Sequence, residues 1–506
     1  MAPRLSRTGT VLAIFAILVT ACGGSTTITS PPSAAASVAP SVAPSEAAVA
    51  SLPPASVAPA TVPPGGPVTI RWFCCLGGGD DPSQQKALKQ VIADFNASHP
   101  NIKVVFDYTA YAGARDAFAT RIASGNPPDV VGPLGVGGAN AFEGQWLDLA
   151  PYIQKYNIDL SGFDPGVVNL YKAGGQGQLG IPFAIYPSEL YYQPDMFDAA
   201  GLQPPPASYG QQYPMPDGSM VDWSYDTVRK IAMQLTVDKA GKNATDPAFN
   251  PKSIVQYGFE PQRDDLRTMG AAFFSAGKFL SDDGKTAQIP DAWAAAWKWI
   301  YNGIWTDHFI LTGPAYNSQT FNGGGYAFNS GHVAMQENFL WNVCCVTDAG
   351  GNWNLAALPS YNGKVTAPMN ADTFRITKGS KHPDEAFTFL QYLVLGPAHT
   401  TLLNSISGFP ALKAEQADFF NQLQQQKDDK GKLIYPPGVN WDVATQAIQY
   451  ADIDPNSENT MPNYNKSLDI LAKYLTRWTS TAGLNMDTEF NNLRQEIQTT
   501  WDAAGS

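Results

Sequence analysis

A strand, a capped helix and a second strand follow one another within residues 68–108, and this order constrains the fold more than any other feature. The stretch VTIRWF alternates apolar and polar residues, which is typical of a half-buried strand. Asp81, Pro82 and Gln84 supply a capping side chain, a first-turn proline and a capping-box partner. The stretch NIKVVFDY predicts the second strand. This β-α-β unit predicts an α/β fold with a mostly parallel sheet and a right-handed crossover.

The same pattern continues along the chain. Apolar spacing predicts helices around 113–124, 225–236 and 290–303, and a further helix near the C-terminus. Two glycine-rich loops, 77–79 and 132–138, each follow a predicted strand. Ligands of open α/β sheets bind beyond the carboxyl ends of the strands, so we expect a ligand site near these two loops.

Residues 1–22 have the pattern of an export signal. Arg4 and Arg7 precede the apolar run VLAIFAILV, which is too short to span a bilayer comfortably. Small residues then lead to Cys22, and the stretch VTAC resembles a bacterial lipobox, whose cysteine is lipidated and becomes the first mature residue. The alternative is an ordinary secretory signal with a chance cysteine. The favoured prediction is lipidation at Cys22.

Residues 23–66 have the composition of a disordered tether. They consist almost entirely of Ser, Ala, Val, Pro, Thr and Gly, without an aromatic residue and with Glu46 as the single charge. Such a segment buries too little apolar surface to fold. If it is extended like polyproline II, it reaches roughly 140 Å from the membrane. We therefore expect an exported protein, anchored by lipid to the outer face of the cell membrane.

The remaining residues, 67–506, are too many for one typical core, so two domains are expected. The chain has 44 acidic and 32 basic residues, a net charge of −12 and no basic block, which argues against a nucleic-acid partner. Its five histidines are scattered, and no phosphate-binding, metalloprotease or serine-hydrolase motif is present. We therefore predict no cofactor, no metal and no catalytic residue. Asp264 and Asp265 leave a glycosidase as the enzymatic alternative.

Five stretches, in order, resemble the family 1 extracellular solute-binding proteins, the receptors of ABC importers. They are ASGNPPDVV, LGIPFAIYPSELYYQPDMFDAAGL, FNSGHVAMQENFLWNV, RITKGSKHPDEAFTFLQYLV and MPNYNKSL. The resemblance extends over nearly all of residues 67–506 and implies two α/β lobes with a ligand cleft between them. It places lobe one at 67–185 with 372–445, and lobe two at 190–370 with 450–506. It also implies a monomer that closes around its ligand by hinge motion and is recognised by a membrane permease.

Carried over residue by residue, the resemblance implies a set of ligand-contacting positions. They are Trp72, Cys74, Gly77, Asp80, Tyr111, Arg115, Gly135, Tyr186, Ser188, Gln262, Asp265, Trp341, Asn342, Asp372 and Tyr464. The alternation of Trp72 with its apolar neighbours also fits a plain core residue. Arg115 and Asp80 also fit solvated surface positions.

The implied ligand is a mono- or oligosaccharide. Pyranose rings pack their flat C–H faces on Trp and Tyr, and their hydroxyls pair with Asp, Asn, Gln and Arg. The family also includes receptors for other solutes, and a polyamine would require an aromatic box with several carboxylates. Since Asp80, Asp265 and Asp372 keep that alternative open, the identity of the solute stays undecided at this point.

Two cysteine doublets, Cys74–Cys75 and Cys344–Cys345, have no counterpart in maltose-binding protein, a distant relative in this family. On the family's fold both doublets lie near the cleft, one in each lobe. A disulfide between the doublets would restrict opening, and free thiols are disfavoured outside the cell. A disulfide within each doublet would leave the lobes free to move, although neighbouring residues lie closer together than usual disulfide partners. All three states remain open, and the disulfide within each doublet is our working hypothesis.

Overall fold

The structure is a computed structural model, and it describes residues 66–503 except 174, 264–266, 323–325, 347–351, 407, 428–429 and 453–460. The side chains of residues 173, 267, 268, 344 and 345 are also outside the described part. The predicted export signal, Cys22 and nearly all of the tether lie outside it as well. Ligand contact by Asp265 and a disulfide between Cys344 and Cys345 therefore remain predictions.

The predicted β-α-β unit is present at the start of the described chain. Strand β1 (Val68–Cys74) and strand β2 (Ile102–Tyr108) pair in parallel, and helix α1 (Pro82–Ser98) connects them. The Asp81 side chain accepts the Ser83 backbone N–H at 2.7 Å, and Gln84 completes the capping box. The local signals in this segment thus predicted both the element types and the point where the helix begins.

Three of the remaining strands have six or more residues and lie in the main sheet, and the others are shorter. They are β3 (Val130–Gly135), β4 (Lys172–Ala173), β5 (Gly177–Gln178), β6 (Ala184–Tyr192), β7 (Gln212–Pro214), β8 (Met220–Asp222), β9 (Val237–Asp238), β10 (Ile254–Gln256), β11 (Met335–Phe339), β12 (Asn354–Ala356), β13 (Met369–Ile376) and β14 (Phe409–Pro410).

Helices fill most of the remaining described chain. They are α2 (Tyr111–Ala123), α3 (Val136–Asn140), α4 (Ala150–Lys155), α5 (Pro165–Leu170), α6 (Pro194–Ala200), α7 (Tyr225–Leu235), α8 (Ala272–Phe274), α9 (Asp291–Trp305), α10 (Gly313–Tyr316), α11 (Val343–Val346), α12 (Pro383–Val394), α13 (His399–Ile406), α14 (Lys413–Gln424), α15 (Asp442–Ala447), α16 (Tyr464–Ser480) and α17 (Met486–Asp502). Short 3-10 turns lie at Ala327–Ser330, Leu340–Asn342 and Ile448–Tyr450, and a π-helical turn lies at Arg267–Ala271. Within the described residues, no helix is both long and apolar enough to cross a membrane.

Strand β6 connects the two halves of the main sheet. Its first residues, 184–187, pair with β13 and β14, and its later residues, 188–192, pair with β11 and β12. The sheet order is β11-β6-β13-β3-β1-β2, with β12 and β14 also on β6. Among the named strands of the described chain, only β1–β2 and β1–β3 are parallel, so the sheet is more mixed than predicted. The difference arises because β6 and β13 run antiparallel to each other and to their neighbours.

Large aromatic side chains form the cores. On one face of the sheet, Trp72 packs edge-on against Phe106, Phe374 and Phe389. A second core, formed mainly by α7, α9, α16 and α17, contains Trp297 packed against Trp478 and other buried aromatic residues. A third, smaller core lies around Phe118 and Trp146. These layers confirm the predicted α/β class.

Candidate functional site

Asp372 on β13 is the centre of a cluster of predicted site residues. In the sheet it lies opposite Gly135 of β3 and opposite Ala184 of β6. Its carboxyl faces the Gly78 backbone and the Tyr186 hydroxyl, and the Cβ position of Gly78 lies 4.0 Å from Asp372 Oδ2. Burial raises the pKa of Asp372 to about 6, and the neighbouring Gly78 N–H and Tyr186 hydroxyl limit the rise. Asp372 therefore connects the first glycine loop to the strand shared by both halves of the sheet.

Tyr186 leads from Asp372 to a second group of predicted residues. Its ring packs edge-on against Trp341, with 5.5 Å between the ring centroids, and Trp341 lies 4.4 Å from the Phe339 ring. Trp341 is half-buried, whereas Asn342 is fully buried. Among the described residues, the Trp341 indole N–H and both polar atoms of the Asn342 amide have no hydrogen-bond partner. The cluster thus combines an aromatic wall with buried polar atoms that lack a partner among the described residues.

The two glycine loops and the start of α16 meet beside this cluster. A side chain at Gly77 would place its Cβ 2.9 Å from the Gly135 nitrogen, so the loops touch through their backbones. The Tyr464 hydroxyl lies 3.9 Å from the Cβ position of Gly137, just after β3. The structure therefore brings Gly77, Gly135 and Tyr464 into the neighbourhood of Asp372.

Trp72 and Cys74, two of the predicted ligand contacts, are buried. Trp72 is fully buried, and its indole N–H donates to the Gly132 carbonyl at 2.7 Å. Cys74 is also fully buried. Both residues belong to the main hydrophobic core, together with buried side chains of α1 and α12. The core alternative for Trp72 is the one that the structure supports.

Ser188 and Gln262 are likewise buried. The Ser188 hydroxyl donates to the Pro368 carbonyl, which gives it an internal partner. Gln262 is 1% exposed, on the segment that follows the buried Glu260. Neither side chain is at the surface in this conformation.

Three further predicted residues lie near the end of β2 and the start of α2. Asp80 is half-buried and accepts the Tyr108 hydroxyl at 2.7 Å. Tyr111 is 63% exposed and Arg115 is exposed, both near the start of α2. The exposure of Arg115 agrees with the surface alternative.

The structure joins Cys74 to Cys75 through a disulfide. Of the three states considered, the first doublet therefore adopts the disulfide between its own two cysteines. Both cysteines are fully buried, so this disulfide does not offer a surface to a ligand in this conformation.

Glu189 and Gly78 were not among the predicted site residues. Both carboxyl oxygens of Glu189 are buried and, within the described chain, lack a hydrogen-bond partner. Burial raises the pKa of Glu189 well above its usual range. The sequence signal for Glu189 was a single charge in the apolar run AIYPSELYY, and Gly78 lay within the noted glycine loop.

A surface depression and a metal-binding group are two other kinds of site that the described residues could form. A depression of about 860 Å³ lies between α4, α5 and β5, and none of the predicted ligand residues lines it. No group of three or more His, Cys, Asp or Glu side chains that could hold a metal ion occurs in the described part of the chain.

The ionisation of Asp372 makes stability depend on pH. Its folded-state pKa of about 6 exceeds the ordinary value of 3.8, so the folded state binds more protons between these values. The contribution of Asp372 is therefore fully present below about pH 4 and declines as the pH rises to about 6. We expect Asp372→Asn to remove this decline, which urea unfolding of both proteins at several pH values would measure.

The other buried carboxyls are common to both proteins, so the difference between the two unfolding free energies isolates Asp372. That difference should shift in favour of Asp372→Asn as the pH rises. A pH-independent difference would contradict the assigned environment.

Comparison with known proteins identifies the family. Residues 79–395, more than half of the chain, match the family described as "Bacterial extracellular solute-binding protein". An uncharacterized lipoprotein from the oleD 5′ region of Streptomyces antibioticus is 23% identical over 350 residues, which cover 66% of this chain and 68% of the relative.

Two solved structures show the same fold. The substrate-binding protein Lmo0181 from Listeria monocytogenes, solved in complex with cycloalternan, has a TM-score of 0.63 and 18% identity, and the match covers 86% of this chain and 99% of that chain. The sugar-binding protein MalE from Xanthomonas citri has a TM-score of 0.63 and 16% identity, with 86% and 98% coverage. The predicted two-lobe fold is thereby confirmed, and the chain belongs to the bacterial extracellular solute-binding protein family.

Proposed function

We propose that this protein is the carbohydrate receptor of an ABC importer and delivers its ligand to the permease without chemical turnover. The observation that carries the proposal is the Tyr186–Trp341 aromatic pair beside Asp372, with unpartnered polar atoms on Trp341 and Asn342. A sugar would pack a C–H face on the aromatic wall and pair its hydroxyls with these groups. The sugar-binding neighbours support this class of ligand.

The cleft between the lobes is the proposed binding site. We propose lobe one as 67–185 with 372–445 and lobe two as 190–370 with 450–506, in a monomer. The pairing of β6 with different strands in its two parts supports a boundary near residue 187. Asp372 and Tyr186 then lie at the boundary, where hinge closure would bring both lobes onto a ligand.

A polyamine is the less favoured ligand. A cationic ligand requires several carboxylates around an aromatic box. The described cluster contributes the carboxyl of Asp372, which already faces the Gly78 N–H and the Tyr186 hydroxyl. Unpartnered N–H groups on Trp341 and Asn342 favour a ligand that also accepts hydrogen bonds. A neutral polyhydroxylated ligand needs no cluster of carboxylates and can accept hydrogen bonds, so it fits the described residues better.

A thermal-shift screen tests the ligand class. At about 100 times its dissociation constant, a ligand stabilises the folded state by about 2.7 kcal/mol. For a folded part of this size, that corresponds to a rise in Tm of about 3 °C. We expect such a rise with at least one mono- or oligosaccharide among glucose, mannose, maltose, maltotriose and mannobiose. A rise only with putrescine or spermidine, or turnover of a glycoside, would contradict the proposal.

Anchoring through Cys22 is a separate part of the proposal. The short apolar run, the small residues before Cys22 and the low-complexity segment after it support lipidation. We expect the native protein to fractionate with membranes and to carry a diacylglyceryl group on Cys22, detectable by mass spectrometry. Cys22→Ala should release it into the soluble exported fraction. Unchanged membrane association of Cys22→Ala would contradict lipid anchoring at this residue.

A further inference from the structure

The Cys74–Cys75 disulfide lies directly beneath the first glycine loop. A Cβ added at Gly79 would lie 2.5 Å from Cys74 Sγ and 3.0 Å from Cys75 Sγ. Cys74 Sγ also lies 3.7 Å from the Gly78 carbonyl oxygen. The loop backbone therefore rests on the two sulfur atoms, and glycine at position 79 allows this close approach. The φ angle of Gly79, +108°, independently favours glycine there.

The same loop contacts the proposed ligand site from its other side. The Cβ position of Gly78 lies 4.0 Å from Asp372 Oδ2, so the loop packs against the Asp372 carboxyl. Asp372 also holds the Tyr186 hydroxyl, and Tyr186 packs on Trp341. A continuous series of contacts thus connects the buried disulfide with the aromatic wall.

We propose that the Cys74–Cys75 disulfide is a positioning element of the ligand site, which sets the height of the Gly77–Gly79 loop over the core and so holds Gly78 against the Asp372 carboxyl. This inference rests on the proposed function, because it assigns the disulfide a role in that site. Two separate side chains would require more room than two bonded sulfur atoms, since non-bonded atoms keep van der Waals distance. Without the disulfide, the loop moves away from the core and Gly78 moves away from Asp372.

The helix cap holds the other end of the loop. Gln84 Oε1 accepts the Gly79 N–H at 2.7 Å. Gly79 is therefore held both by the helix cap, through its N–H, and by the two sulfur atoms against which it packs.

Hydrogen exchange of the ligand-free, full-length protein tests the proposal. In Cys74→Ser/Cys75→Ser, we expect the Gly78 amide to exchange about tenfold faster or more, because the loop is no longer held between the core and Asp372. We also expect the pKa of Asp372 to rise above about 6, because that N–H stabilises the carboxylate. The titration can be followed by the ¹³C carboxyl signal that Asp372→Asn removes.

Val91→Ala is the matched control. Val91 is a buried residue of α1 in the same core, so its truncation lowers stability without breaking the disulfide. This variant should leave the Gly78 exchange rate and the Asp372 titration unchanged under native conditions. If both variants alter them equally, the disulfide has a general structural role and the proposal is wrong.

Gly79→Ala keeps the proposal testable should the double serine variant fail to fold. It retains the disulfide but sets a methyl group against both sulfur atoms, so it should displace the loop and accelerate Gly78 exchange. Unchanged Gly78 exchange in either folded variant would overturn the proposal. Since these measurements use no ligand, a failed sugar screen would contradict the proposed function without affecting this result.

Discussion

Trp341→Ala is expected to weaken sugar binding by about 30- to 1,000-fold, a loss of about 2–4 kcal/mol that is typical of a truncated aromatic anchor. The Trp341 ring packs on Tyr186 and Phe339, and its indole N–H is unpartnered among the described residues. Truncation would remove both the aromatic wall and this donor. Calorimetric titration with the sugar that raises the Tm of the wild type would measure the loss.

Trp305→Ala is a suitable control for this experiment. Trp305 is also half-buried, but its indole N–H donates to the Trp478 carbonyl at 2.9 Å, within the second core. Its truncation should reduce stability and leave sugar affinity within about twofold of the wild type. Wild-type affinity in Trp341→Ala would contradict the proposed position of the ligand.

Trp72→Ala is expected to lower the free energy of unfolding by about 3–5 kcal/mol, as for other large buried aromatic residues. The substitution leaves a cavity among Phe106, Phe374 and Phe389 and leaves the Gly132 carbonyl without its donor. Since domains are stable by only about 5–15 kcal/mol, this is a large fraction of the total. Urea unfolding monitored by circular dichroism would measure it.

Trp72→Phe separates packing from hydrogen bonding at the same position. It retains an aromatic ring and loses the donor to the Gly132 carbonyl, so we expect a smaller loss of about 1–3 kcal/mol. Folded Trp72→Phe should bind sugar as the wild type does. A Trp72 variant with wild-type stability and lost sugar binding would indicate that Trp72 contacts the ligand.

The local elements were predictable because short-range patterns determine them. Asp81, Pro82 and Gln84 predicted the start of α1, and the helix predicted at 225–236 is α7 at Tyr225–Leu235. Capping and apolar periodicity act within a few residues, so they are visible in the sequence. The five ordered stretches of family resemblance also led to the correct family and fold.

The proposed site could be predicted only in part. Trp72 and Trp341 both follow apolar stretches, yet one is in the core and the other is half-buried beside Tyr186. Periodicity shows which side chains share a face of an element, but it does not show what covers that face. The exposure of a predicted ligand residue therefore depends on packing by distant segments.

The sequence by itself determined the α/β elements, the helix boundaries and the resemblance that identified the family, because these depend on neighbouring residues. Only the tertiary structure decided that Cys75 is the partner of Cys74, and that Asp372 meets Gly78 and Tyr186. Gly78 and Asp372 lie nearly 300 residues apart in the chain, and Tyr186 and Asp372 nearly 190. Strand order and register bring such segments together, and both result from the packing of the whole sheet rather than from any local pattern.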